Sequence, residues 1–173
     1  KILSNYNTKN NNLSIEASKS EQFLVILIEN DNIDEFQTYL SQTNTKFNTK
    51  ININKYILLH QIKELELIEF AALCGSIKIF KFLLNQISEF PFGLKNFAVC
   101  GGNYEIIHII EQNRQYSDSL IFNEDTLKMA IMFHQNEIFD YLIESFNIEF
   151  GADCYNACVK SNNFVILNKY IEN

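Results

Sequence analysis

The sequence predicts an all-α protein, a solenoid of about five stacked helix–turn–helix units with shortened hairpin loops between them. Three observations predict it. The chain of 173 residues holds only 5 Gly and 1 Pro, too few for a turn-dense β fold. Hydrophobic residues make up 47% and charged residues 20%, which places the chain among globular rather than disordered proteins. A short grammar also recurs along the chain: an apolar helix, a small or polar residue, a tight turn and a second apolar helix. Asn must serve many of the turns, since it tolerates left-handed backbone.

In chain order, residues 1–19 are polar and read as an arm or the end of an upstream unit. Residues 20–173 read as the repeat domain, with approximate units 20–41, 55–86, 93–112, 124–145 and 152–173. The helix-ending residue is Asp31, Gly75, Gly102, His134 and Asn162 in turn, and all but the His suit a helix end that turns left-handed. After it, apolar residues fall at helical spacing, as in Ile77, Phe80, Leu83 and Leu84, then Tyr104, Ile107 and Ile110. Ile79 and Phe82 add a second apolar stripe, and a helix apolar on two faces needs neighbours on both. Ala71, Ala98 and Ala130 recur in the first helix, where small side chains let paired helices approach closely. Residues 41–54 form an Asn/Thr/Lys-rich connection. Residues 55–68 read as helical, with Tyr56, Leu59, Ile62 and Leu65 three apart.

This grammar resembles the ankyrin repeat, in particular the divergent ankyrin repeats of some protists. The clearest copy is Ile68-Glu-Phe-Ala-Ala-Leu-Cys-Gly75-Ser-Ile-Lys-Ile-Phe-Lys-Phe-Leu-Leu84. Gly102-Asn-Tyr-Glu-Ile-Ile-His-Ile-Ile110 and Asn136-Glu-Ile-Phe-Asp-Tyr-Leu-Ile143 are similar to the second half of that repeat. No copy carries the family's Thr-Pro-Leu-His opening. The helix-ending residues are spaced by 44, 27, 32 and 28 residues, against about 33 in the family. The resemblance implies protein recognition through a concave groove. The two positions before each helix-ending residue face that groove: Glu29 and Asn30, Leu73 and Cys74, Cys100 and Gly101, Met132 and Phe133, Lys160 and Ser161. The three middle pairs would make an apolar strip, and exposed apolar surface marks interaction sites.

The remaining residues point away from other functions. The net charge of −7 disfavours nucleic acid and membrane surfaces and suits a partner with a basic face, steered by rim acids such as Glu124 and Asp125. No apolar run approaches the length of a membrane span. Cys74, Cys100, Cys154 and Cys158 read as reduced thiols of an intracellular, cytoplasmic protein. No Cys-x-x-Cys pair occurs and Cys154 and Cys158 stand alone as a close pair, so no metal or cofactor is expected. His60, His108 and His134 lack spacings that support a mechanism, Gly-x-Ser-x-Gly is absent, and Gly101-Gly102 has no following Lys-Ser/Thr. No enzymatic activity is expected. The alternative readings are a structural spacer within a longer multidomain protein and, less favoured, an enzyme on a helical scaffold.

Overall fold

A computed structural model describes residues 20–52 and 64–171 of the chain. Its elements are helix α1 (20–29), α2 (Ile33–Thr43), strands β1 (Lys50–Asn52) and β2 (Glu64–Glu66), then α3 (Leu67–Cys74) and α4 (Ile77–Leu84). They continue through α5 (Leu94–Gly101), α6 (Tyr104–Asn113), α7 (Glu124–Met132), α8 (Asn136–Phe146), α9 (Ala152–Ser161) and α10 (Phe164–Ile171). The described residues are thus predominantly helical. The expected N-terminal arm lies outside them, as do Tyr56, Leu59, His60 and Ile62.

The odd-numbered helices form one layer, in which α3 packs on α5, α5 on α7 and α7 on α9. Each is followed by an even-numbered partner of the second layer, with α3 on α4, α5 on α6, α7 on α8 and α9 on α10. Five two-residue or three-residue turns join α1 to α2 and the two helices of each of these four pairs. In each, one residue adopts left-handed backbone: Asp31 (φ 49°), Gly75 (70°), Gly102 (72°), His134 (57°) and Asn162 (56°). The left-handed residue lets amides after the helix fold back on its last carbonyls, which would otherwise lack partners. The Gly75 amide donates to Ala72 and the Ser76 amide to Ala71. His134 does the same, its amide meeting Ile131 and that of Gln135 meeting Ala130, although a Cβ makes this conformation costly.

The core runs between the layers. Ala71, Ala98 and Ala130 are fully buried, as the close approach of paired helices requires. Phe36, Phe80, Ile107 and Phe139 occupy equivalent places in four successive even helices, each without exposed surface. Burial of each contributes about 1.5–3 kcal/mol. Gly101 shows how closely the odd helices approach. A Cβ placed there would lie 2.1 Å from the Ala72 carbonyl oxygen and 2.8 Å from that of Leu73.

One region differs from expectation. Residues 64–66, expected to be helical, form β2, which pairs antiparallel with β1 in the register Ile51 opposite Leu65. The reason lies in burial: Ile51 and Leu65 are both buried, whereas Lys50, Asn52 and Glu64 are exposed. An alternating pair of strands satisfies that pattern, and the helix begins only at Leu67, capped by the Glu66–Glu69 capping box.

Candidate protein-interaction face

Side chains that follow the left-handed residues tie each unit to the one before it. The Ser76 hydroxyl donates to the Ile28 carbonyl. Asn103 Nδ2 donates to the Gly75 carbonyl at 2.9 Å, Gln135 Nε2 to Cys100 at 3.0 Å, and Asn163 Nδ2 to Ile131 at 3.0 Å. These four rungs reach carbonyls at the ends of successive odd helices, of which those of Ile28 and Ile131 also accept the amides of Asp31 and His134. Asn103 serves two purposes, because its Oδ1 also accepts from the Glu105 and Ile106 amides and caps α6. Asp31 works across units, accepting from the Lys78 and Ile79 amides at the start of α4 (3.1 and 3.0 Å). The ring Nε2 of His134 lies 3.0 Å from the Ser161 carbonyl, which accepts when that nitrogen carries the proton. These bonds hold the C-terminal ends of the odd helices in one row.

That row carries the residues expected to bind a partner. Glu29 and Asn30 are exposed at the end of α1, and Lys160 is exposed with Ser161 half-buried at the end of α9. Between them, Leu73, Cys74, Met132 and Phe133 are half-buried, each packed against the core along one flank. Cys100 is buried at 4% exposure and presents almost no surface to a partner. Its neighbour Gly101 is half-buried. The apolar surface of the row therefore falls into two groups, Leu73–Cys74 on α3 and Met132–Phe133 at the end of α7, separated by the α5 terminus. The rim acids are less free than their sequence suggests. Asp125 pairs with Lys128 at 2.6 Å, and the same ammonium reaches Asp153 at 3.6 Å.

Sequence reasoning passed over a groove of about 680 Å³ lined by Leu40, Phe47, Glu66, Glu89, Phe90 and Pro91, among others. It lies between the connection after α2 and the α4–α5 connection. Beside it stands Phe92, at 80% the most exposed large apolar side chain among the described residues. The signal was present, since the chain's single Pro sits between two Phe residues outside any helical pattern.

None of the four cysteines forms a disulfide, and the three buried ones are chemically quiet. Burial pushes the Cys100 thiol well above the ordinary thiol range, that of Cys154 up to about 11, and that of Cys158 upward. Buried thiols with raised pKa values hold little thiolate and are poor nucleophiles. Among the described residues no group of three or more His, Cys, Asp or Glu side chains is placed to hold a metal ion, and no helix is long and apolar enough to cross a membrane.

The class that fold and face define is a helical protein of paired, stacked helices. Residues 93–170 match a family model described as a domain of unknown function, DUF3447. The match begins one residue before α5 and ends within α10, so it covers the last three helix pairs. No curated protein matches the chain, and no solved structure does.

Proposed function

We propose that the chain is an ankyrin-like solenoid that binds a protein partner, without catalysis, through the face formed by the ends of its odd helices. The observation that carries this reading is the recurrence of half-buried apolar side chains at one repeat position. Leu73 and Met132 hold the same place on α3 and α7, with Cys74 and Phe133 next to them. Such side chains, anchored on one flank and open on the other, supply apolar contact area without large ordering cost and act as hot spots. The acidic balance of the chain steers a partner with a basic surface, and the location proposed is cytoplasmic.

The test is a quantitative pull-down with the whole chain against Leu73→Asp and Phe133→Asp, each verified as folded by circular dichroism. A protein bound by the wild type and lost with both folded variants supports the face. Equal capture by all three proteins refutes it. Capture of nothing favours the alternative, a spacer within a longer protein.

A further inference from the structure

On α7, Thr126, Leu127, Ala130 and Ile131 are buried in the stack. Asp125, Lys128, Met129 and Met132 are not, and their spacing of three and four residues puts them on one stripe of the helix. The stripe has two halves. In the first, Lys128 pairs with Asp125 at 2.6 Å and reaches Asp153 at 3.6 Å. In the second stand Met129 and Met132, half-buried and packed on the core along one flank, with Phe133 beside them. The chain has 2 methionines, so this half of one helix holds them both. Counted from the left-handed residue, the place of Met129 is taken on α3, α5 and α9 by Phe70, Phe97 and Ala157, all of them buried. The place of Met132 is that of Leu73 on α3 and of the buried Cys100 on α5. The α7 end of the partner face is therefore built largely of thioether.

Thioether is apolar and adaptable, which suits a binding surface, and it is also open to oxidation. The competing sulfur is mostly shielded. Cys100, Cys154 and Cys158 are buried, and burial raises their thiols and leaves little thiolate for an oxidant. We infer that Met129 and Met132 form an oxidation site through which a peroxide switches off the partner face, an inference that rests on the function proposed for that face. In the reaction the peroxide O–O bond breaks. One oxygen bonds to the methionine sulfur, which gives up two electrons, and the other leaves as water or an alcohol. The sulfoxide is polar where the thioether was apolar. The change falls on the open flank of α7, whereas Leu127, Ala130 and Ile131, which pack that helix into the stack, hold no sulfur. The fold therefore stays and the apolar surface of α7 goes, leaving Phe133 alone there and Leu73–Cys74 at a distance on α3. Methionine sulfoxide reductases, one for each epimer, reverse the step with electrons from thiols and release the oxygen as water. Cys74, half-buried on the same face, is also within reach of peroxide, but a thiol reductant returns its sulfenic acid or disulfide.

The whole chain, isotope-labelled at its methionine methyl groups, gives one NMR signal for Met129 and one for Met132. Met129→Leu and Met132→Leu assign them, since Leu keeps the side-chain volume and takes up no oxygen. Hydrogen peroxide is added under native conditions, followed by dithiothreitol to return Cys74. Both signals are expected to move to the sulfoxide position at close to the rate of free methionine, with helical circular dichroism unchanged. Signals that move only when urea unfolds the chain overturn the inference, because the sulfurs are then shielded. So does a loss of helix on oxidation, because the two side chains then belong to the core. The pull-down reads the switch. Oxidised wild type is expected to lose the capture that Leu73→Asp and Phe133→Asp lose, and the reductases are expected to restore it. The double variant Met129→Leu/Met132→Leu, treated alike, is expected to keep it. Capture that survives oxidation in the wild type, or that the double variant loses equally, overturns the switch. An untreated wild type that captures nothing removes the reading of the face and the switch with it, while the methyl signals still decide whether the two methionines are an oxidation site.

Discussion

Gly101→Ala tests the closest approach in the stack. The added Cβ would sit 2.1 Å from the Ala72 carbonyl oxygen, 2.8 Å from the Leu73 oxygen and 3.0 Å from the Leu73 carbonyl carbon. A comfortable carbon–oxygen contact is about 3.3 Å or more, so α5 and α3 must separate by roughly 1 Å. No flexible side chain can yield, because all three contacts are backbone. Forced separation of well-packed elements costs about 1–3 kcal/mol. Replacing Gly by Ala in a helix returns about 0.5–1 kcal/mol. The net expectation is a loss of about 1–2 kcal/mol, or roughly 2–8 °C in Tm for a chain of this size. Thermal and urea denaturation followed by circular dichroism measure it. Gly93→Ala is the control, because there the new Cβ meets the Phe97 ring at 2.7 Å and Glu69 Oε1 at 2.9 Å, side chains that can shift. If Gly101→Ala leaves stability unchanged or raises it, helix propensity outweighs the contact and the account of α3–α5 packing is wrong.

Three further outcomes are expected. Asn163→Ala removes the donor to the Ile131 carbonyl and the bond to Asn136 Oδ1 at a side chain only 1% exposed. It should cost about 1–3 kcal/mol and speed amide hydrogen exchange in α9 and α10 more than in α3 and α4; uniform acceleration would contradict the rung. Lys95 donates to the Ile121 carbonyl at 2.6 Å, and burial holds its ammonium below the ordinary 10.5, an effect partly offset by Asp125. With the folded pKa below the unfolded one, the penalty for the charged form is complete below the folded value and is relieved as pH rises towards 10.5. Wild-type stability should therefore gain on Lys95→Met across that alkaline window in urea titrations, and identical pH profiles would argue against a desolvated Lys95. Under native conditions a thiol reagent should modify half-buried Cys74 before Cys100, Cys154 and Cys158, all three of which are buried; equal rates, read by mass spectrometry, would show that the stack opens as a whole.

The turns were the most legible part of the sequence. Gly75 and Gly102 have no Cβ to oppose left-handed backbone, and Asp31 and Asn162 tolerate it. His134 was placed by its position in the pattern alone, against its own preference. The β1–β2 pair was barely legible: each strand has three residues, too short for its alternation around Ile51 and Leu65 to stand out, and nothing in the sequence says that the two pair. At Leu65 the i, i+3 spacing pointed to a helix where the residue lies in β2. The rungs could have been read. A side chain with a hydrogen-bond donor follows the left-handed residue in every copy, but meaning attaches to it only when the carbonyl it reaches is known. The face itself was legible as a row of equivalent positions. The burial of Cys100 was not, because it depends on the close contact that Gly101 permits between α5 and α3.

Each rung spans one boundary and no more. Lys81–Glu105 and Lys169–Asp140 likewise join neighbouring units and are exposed, so they contribute little. Cohesion is therefore passed along the chain from neighbour to neighbour, as in a one-dimensional lattice. Damage at one boundary divides such a lattice into two shorter segments instead of weakening it evenly. Heat should therefore open such a lattice boundary by boundary, with the segments on either side of a broken boundary persisting.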